Sequence, residues 1–176
     1  MMGNRGGALH NSEREIVRSY KSRRWIACVL EFKGRRRVVM AERRYTELFF
    51  LDEAVAFAAG HRPCAECRRE RFNAFKAAWG GAPFADEMDL ALHAARKATY
   101  EARLGSLPDG CFVEMNDGAY LVWDSGLLLW TPEEYTKRVR RPNDLTARVL
   151  TPKPIVECFR HGYRPDIHGS GDIMAP

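Results

Sequence analysis

Residues 60–69 have the sequence Gly-His-Arg-Pro-Cys-Ala-Glu-Cys-Arg-Arg, and this stretch decides how the surrounding chain is interpreted. Cys64 and Cys67 are separated by two residues and stand at the start of a predicted helix, whose dipole favours thiolates. Two thiolates at this spacing supply two corners of a tetrahedral zinc site. We therefore predict a zinc knuckle here, with Zn²⁺ as the cofactor. A redox couple or two free thiols are the alternative interpretations.

Local signals on both sides of the motif indicate where helices begin and end. Asp52 is a good N-cap for a helix over residues 53–59, and Gly60 is suited to end that helix in a left-handed conformation. Pro63 prevents the helix from continuing. A second helix is expected from about Cys64 to Trp79, with an apolar face for the core.

The remaining metal ligands must come from elsewhere in the chain. Cys28 faces inward on a predicted strand over residues 25–32, His61 lies in the turn itself, and His93 lies on a predicted helix over residues 86–103. Each is a candidate ligand, although a single histidine is more often a structural residue.

A second candidate pair follows a repeated turn. The pattern Gly-x-Arg-Pro at residues 60–63 recurs at residues 162–165, and the second copy is followed by Asp166 and His168. Ligands from both turns could complete one site. The competing interpretation is that this pattern serves only to end a helix.

Charge is unevenly distributed along the chain. The 176 residues carry a net charge of +5, and residues 1–79 contain 17 Lys or Arg but nine Asp or Glu. Arginine donates bidentate hydrogen bonds to phosphate, so a DNA or RNA partner is predicted for this half. A solvated basic face is the alternative. The predicted phosphate-binding side chains near the first strands and the knuckle are Arg35, Arg36, Arg37, Arg68 and Arg69.

The remaining composition is that of a globular α+β protein. No apolar run approaches the ~20 residues that span a bilayer, and five cysteines without a disulfide pattern favour a reducing cytoplasm. We expect a disordered tail over residues 1–11, a metal-binding module over 12–79, a helical connector over 80–105, and a compact β-rich region over 106–176 packed on the module.

Asp89 and His93 are candidate catalytic residues because they are one turn apart on the predicted helix, where a carboxylate can orient an imidazole. A solvated ion pair at this spacing is the common alternative. Besides a nucleic-acid-binding zinc protein, the sequence is compatible with a metal-dependent hydrolase or nuclease, or with a metal-free interaction module. It leaves the oligomeric state open.

The segment from Leu48 to Arg68 resembles the metal-binding domain of Ada-type DNA alkylation-repair proteins, and a looser resemblance extends over residues 24–79. The shared features are a strand, a helix rich in Ala, a Gly-x-Arg-Pro turn and Cys-x-x-Cys before a helix. The resemblance implies that Cys64 and Cys67 are zinc ligands. The family's upstream cysteine pair has no counterpart between Lys33 and Arg44, so the resemblance does not imply methyl-phosphotriester repair.

Overall fold

The computed structural model describes residues 1–35, 38–115 and 118–173, with the side chain of residue 173 excluded. Within those residues it shows an α+β fold with two β-sheets and five α-helices. The strands are β1 (Met2–Asn4), β2 (Ile26–Cys28), β3 (Leu48–Phe49), β4 (Arg62–Pro63), β5 (Tyr100–Arg103), β6 (Phe112–Met115), β7 (Gly118–Trp123), β8 (Gly126–Trp130), β9 (Tyr135–Arg140) and β10 (Thr146–Val149). The helices are α1 (Glu53–Ala58), α2 (Arg69–Trp79), α3 (Ala85–Ala95), α4 (Lys153–Arg160) and α5 (Ser170–Ile173), with a 3-10 turn at Leu104–Ser106.

The first sheet is small and has the order β3-β1-β2-β4. Strand β1 pairs antiparallel with both β2 and β3, while β4 pairs parallel with β2. Met2 is 2% exposed and lies opposite Cys28. The prediction of a disordered tail over residues 1–11 is therefore wrong. Its polar, Gly-rich composition suggested disorder, but the backbone hydrogen bonds of β1 and the burial of Met2 and Leu9 hold this segment in place.

The second sheet has six antiparallel strands in the order β5-β10-β6-β7-β8-β9. Tyr100–Arg103 forms its edge strand and pairs with β10. The predicted helix over residues 86–103 therefore ends early, at Ala95, and the segment over 80–105 is not an entirely helical connector. Pairing along the sheet edge outweighs the helical pattern in this segment, an example of tertiary context overriding local propensity.

One hydrophobic core joins residues from both halves of the chain. Phe57 of α1 stacks on Phe75 of α2 with ring centroids 5.4 Å apart, and the edge of Tyr163 meets both rings at 5.5 Å. The same cluster includes Val113 of β6 and Ile155 of α4. The core therefore continues across the predicted boundaries between the metal-binding module, the connector and the β-rich region.

The local helix signals around the motif are present in the structure. Asp52 caps α1, since its side chain accepts a hydrogen bond from the Val55 backbone N–H at 2.9 Å. Gly60 follows the helix with φ +77°, in the left-handed region. The second helix begins later than predicted, because α2 starts at Arg69 instead of near Cys64 and the residues between Cys64 and Arg69 form a turn before it. In the described part of the chain, no helix combines the length and apolar character needed to cross a bilayer.

Candidate metal centre

Three cysteines from distant parts of the chain meet in one place. The sulfur atoms of Cys28, Cys64 and Cys67 all lie within 4.8 Å of one another. Zinc–sulfur bonds of about 2.3 Å in a tetrahedron put sulfur atoms about 3.8 Å apart, so a small contraction would suit an ion. The three cysteines could therefore hold a metal ion.

The first sheet brings the upstream cysteine to the knuckle. Strand β4 runs parallel to β2, with Ala27 opposite Pro63, and the Cys64 N–H donates to the Ala27 carbonyl at 3.0 Å. Cys28 and Cys64 each come one residue after this Ala27–Pro63 pair, so the two cysteines lie next to each other. The turn after Cys64, closed by a hydrogen bond from Arg68 N–H to its carbonyl, carries Cys67 to the same side.

Backbone donors surround the sulfur atoms, as expected for thiolate ligands. The Glu66 N–H donates to Cys64 Sγ at 3.4 Å, and the Cys67 N–H also hydrogen bonds to this sulfur. The Val29 N–H hydrogen bonds to Cys67. Such donors stabilise negative charge on sulfur and orient the ligands.

The pKa values of the three thiols are shifted in different directions. A hydrogen bond from the Cys28 thiol is the main cause that lowers the pKa of Cys64 to about 5. The same hydrogen bond and burial raise the pKa of Cys28, whereas burial and the neighbouring Cys64 raise the pKa of Cys67. Three adjacent thiolates repel one another, and a divalent cation among them would offset that repulsion.

The site has one buried and one open side. Met2 packs with Cys28 and Cys64 in a small apolar cluster, which shields these two sulfur atoms. Cys67 is only partly buried and lines an open cleft of about 380 Å³. Within the described residues, no other His, Cys, Asp or Glu side chain joins the three cysteines. A tetrahedral ion held by them would keep its fourth position for water or another ligand.

His61 does not join the cysteines, although it is only three residues from Cys64. Its ring is fully buried between the rings of Trp25 and Phe50, at centroid distances of 5.2 and 4.8 Å. Its Nε2 faces Arg5 Nε at 3.5 Å. Burial is the main cause that lowers the pKa of His61 well below 6.5, and the nearby cations add to the effect. This histidine is a structural residue.

The repeated turn holds two elements of the core together instead of adding ligands. The Asp166 N–H donates to Glu53 at 3.0 Å, and the His168 N–H donates to Asp52 at 3.0 Å. Tyr163, in the position that corresponds to His61, donates its hydroxyl to Glu53 at 2.7 Å. The backbone of Asp166 and His168 is therefore hydrogen-bonded to the two carboxylates at the start of α1, and neither residue joins the three cysteines.

The candidate catalytic pair is separated. Asp89 binds Arg62 in a buried ion pair, with Nη2 and Oδ2 2.7 Å apart. His93 instead contacts Tyr20, at a centroid distance of 5.0 Å, and Arg96, whose Nη1 lies 3.1 Å from Nδ1. Asp89 does not orient His93, and His93 is not in the cysteine cluster.

The predicted phosphate-binding arginines have different environments. Arg68 is 9% exposed and is held by Glu53 and Asp166, so it is not available to a partner. Arg69 is exposed, and Arg35 forms an exposed ion pair with Glu66. The other two predicted positions, Arg36 and Arg37, lie outside the described residues.

A second polar site was missed by the sequence reasoning. Arg5 and Arg96 lie over the ring of Trp25, with guanidinium carbons 3.9 and 4.2 Å from its centroid. Arg5 lies in the segment interpreted as a tail, and Arg96 lies 71 residues after Trp25 in the sequence. No local spacing pattern joins these residues. The basic excess of residues 1–79 includes Arg5, whereas Arg96 lies outside that half of the chain and no sequence signal indicated it.

Comparison of the chain with protein-family models, with curated proteins and with solved structures yields no match.

Proposed function

We propose that this protein binds one Zn²⁺ through Cys28, Cys64 and Cys67 and that the basic surface around this centre binds nucleic acid. The convergence of the three sulfur atoms within 4.8 Å carries the proposal. The ion would join β2 to the turn before α2, so that it stabilises the small sheet. Its fourth position would open toward the cleft beside Cys67.

The ligand set supports zinc as the metal. Soft thiolates select zinc, copper(I) or iron–sulfur clusters, whereas calcium and magnesium prefer oxygen ligands. Backbone donors to Cys64 and Cys67 are suited to thiolates. The resemblance of residues 24–79 to the zinc domain of Ada-type proteins also supports this choice.

The charges near the centre support a phosphate-bearing partner. Arg69 and Arg71 line the cleft beside Cys67 together with Glu66 and Glu70. Arg71 pairs with the buried Glu53, and Arg35 lies beside the cleft through its ion pair with Glu66. Arg69 is exposed, and it forms no ion pair with a carboxylate among the described residues. Exposed arginines such as Arg69 and Arg35 attract phosphates from a nucleic-acid backbone.

Metal analysis tests the first part of this proposal. Protein purified without chelators should contain one zinc per chain, and Cys28→Ser, Cys64→Ser and Cys67→Ser should each lower that content. Cys158→Ala is the matched control, since Cys158 is a buried thiol in the main core. Cobalt(II) in place of zinc should give the absorption of tetrahedral thiolate coordination. A metal-free protein that stays folded would refute the zinc proposal and favour a metal-free interaction module.

Salt-dependent binding tests the second part. Fluorescence anisotropy with duplex DNA, single-stranded DNA and RNA should give affinities that fall as the salt concentration rises. On duplex DNA, the logarithm of the association constant plotted against the logarithm of the salt concentration should have a slope near −0.9 per phosphate contacted. Arg35→Gln and Arg69→Gln should each weaken binding and reduce the slope by about 1. Arg140→Gln, an exposed charge on β9, is the control and should leave both unchanged. Equal effects of all three variants would contradict a specific basic surface.

A metal-dependent hydrolase or nuclease is the second candidate, and the open fourth position of the centre favours it. A zinc-bound water there could attack a substrate in the cleft. Three anionic thiolates make the ion less electrophilic than three neutral imidazoles do, and neither Asp89 nor His93 lies in the cluster. This candidate therefore ranks below a binding role. Hydrolysis of DNA, RNA or a model phosphodiester that is abolished by Cys67→Ser and unaffected by His93→Gln would establish it.

A further inference from the structure

A cavity of about 390 Å³ lies between the segment after β1 and the end of α3. None of its lining residues belongs to the cysteine cluster. Three permanent cations line it, namely Arg5, Arg96 and Lys97, and no lining residue is a carboxylate. The cavity is therefore a concave, positively charged space that is distinct from the proposed zinc centre.

The two arginines are held in position by different contacts. Arg96 Nε donates to the Gly60 carbonyl at 3.0 Å, and Arg5 Nη1 donates to the Ser19 carbonyl at 3.3 Å. Both guanidinium groups lie within 4.2 Å of the Trp25 ring centroid. The ring attracts each cation, but it is uncharged and therefore leaves the positive charge of both guanidinium groups in place. Arg5 and Arg96 are thus preorganised and keep their positive charge.

Acidic groups nearby do not balance this charge. Asp89 is the acidic group that interacts with Arg96 electrostatically, yet both its carboxylate oxygens already bind Arg62. The other two charged groups that interact with Arg96 are Arg5 and Arg62, and both are cations. Burial is the main cause that lowers the pKa of Arg96 to about 10, which reflects poor solvation of its charge.

Arg96 also retains an unused donor. Its Nη2 atom is buried and has no hydrogen-bond partner among the described residues. A buried donor of this kind is rare in folded proteins and calls for a ligand, a water or an ion. An oxyanion in the cavity would supply the missing acceptor together with the missing negative charge.

We propose that the cavity lined by Arg5, Trp25, Arg96 and Lys97 binds the phosphate group of a phosphate monoester. Three cations without a carboxylate suit a dianion better than a carboxylate ligand of single charge. Lys97 is exposed at the rim, and Tyr20 and His93 form the adjoining wall. The volume accommodates the phosphate and part of an attached organic group. This site requires neither the zinc ion nor the basic surface beside Cys67.

Calorimetric titration of the full chain with three probes tests the site. Inorganic phosphate and adenosine 5′-monophosphate should bind at one saturable site, and adenosine without phosphate should not bind. The indole N–H resonance of Trp25, assigned with Trp25→Phe, should shift during the first two titrations. Affinity weaker than about 10 mM for both phosphate probes would overturn the proposal.

Variants locate the binding. Arg96→Gln should weaken phosphate binding about ten-fold or more, because it removes a charge-assisted donor. Lys97→Gln, at an exposed position, should weaken it several-fold. Arg43→Gln removes the same charge from an exposed side chain that pairs only with Glu42 among the described ion pairs, and it should have no effect. Equal binding by all three variants would refute the assignment.

Two oligonucleotides distinguish the sources of the phosphate. If the site takes the terminal phosphate of a nucleic acid, a 5′-phosphorylated single strand should bind more tightly than the same strand with a 5′-hydroxyl. This difference should disappear in Arg96→Gln. If it takes a free monoester, the strands should bind equally while adenosine 5′-monophosphate still saturates the site. Either result supports a phosphate site, and Cys64→Ser tests separately whether zinc contributes.

Discussion

Arg62 and Asp89 form a buried two-point ion pair, in which Arg62 Nε donates to Oδ1 at 2.9 Å and Nη2 donates to Oδ2 at 2.7 Å. Their side chains are 6% and 2% exposed. Arg62 lies on β4, two residues before Cys64, and Asp89 lies on α3. The pair therefore anchors the cysteine turn to α3, the helix that also carries His93.

Removing Asp89 should destabilise the protein strongly. Asp89→Ala leaves the Arg62 guanidinium buried without its partner, which typically costs about 3–5 kcal/mol in free energy of unfolding. Urea denaturation checks this value. Asp86→Ala is the control on the same helix, because it breaks an ion pair with Arg24 whose side chains are 66% and 70% exposed, and it should cost less than about 1 kcal/mol. Similar losses from both variants would contradict the role of the buried pair.

Glu53 should be a second critical carboxylate. It is fully buried and accepts hydrogen bonds from Arg68 and Tyr163, both at 2.7 Å, and from Arg71. Glu53→Gln leaves two arginines without their buried counter-charge, so we expect a loss of about 3–5 kcal/mol in thermal or urea unfolding. Glu157→Gln, on the exposed side of α4, is the control.

The two Gly-x-Arg-Pro turns allow a matched comparison of glycines. Gly60 and Gly162 have φ values of +77° and +93°. A Cβ at Gly60 would lie 2.6 Å from Arg96 Cγ, whereas a Cβ at Gly162 would meet nothing within 4 Å. Gly162→Ala should cost about 1–2 kcal/mol for the left-handed backbone alone, and Gly60→Ala should cost more. Arg96→Ala should reduce the excess at Gly60 and should not alter the effect at Gly162, as measured by a double-mutant cycle.

His61 should make stability depend on pH. Its pKa is lowered in the folded protein and returns to about 6.5 on unfolding, so the unfolded chain binds more protons between these two values. Its contribution is therefore fully present above about pH 6.5 and is lost as the pH falls below that value. The free energy of unfolding, measured from pH 8 to pH 5 at constant zinc, should decline in the wild type and decline less in His61→Phe. His168→Gln is the control. Parallel curves for wild type and His61→Phe would show that another group causes the decline.

Residues close in sequence were the most predictable part of the fold. The Asp52 cap, helix α1 and the left-handed Gly60 depend on hydrogen bonds and backbone angles within a few residues, so their spacing predicted them. Cys28 is buried as predicted, but strand alternation does not explain this, because the neighbouring Ala27 is also buried, Leu30 is exposed, and the strand covers only Ile26–Cys28 instead of residues 25–32. The extended helix over residues 86–103 failed because the pairing of Tyr100–Arg103 with β10 depends on a segment more than 40 residues away.

The sequence by itself determined that Cys64 and Cys67 stand together, because two residues between them and a following turn bring their side chains to one side. Only the tertiary structure decided that Cys28 is their neighbour, since this depends on the parallel pairing of β2 with β4 and on β1 inserted beside β2. It also decided that Arg68 and Asp89 are buried partners of other charges. The physical reason is that burial and charge pairing depend on which distant segments share a sheet or a core, and local periodicity does not contain that information.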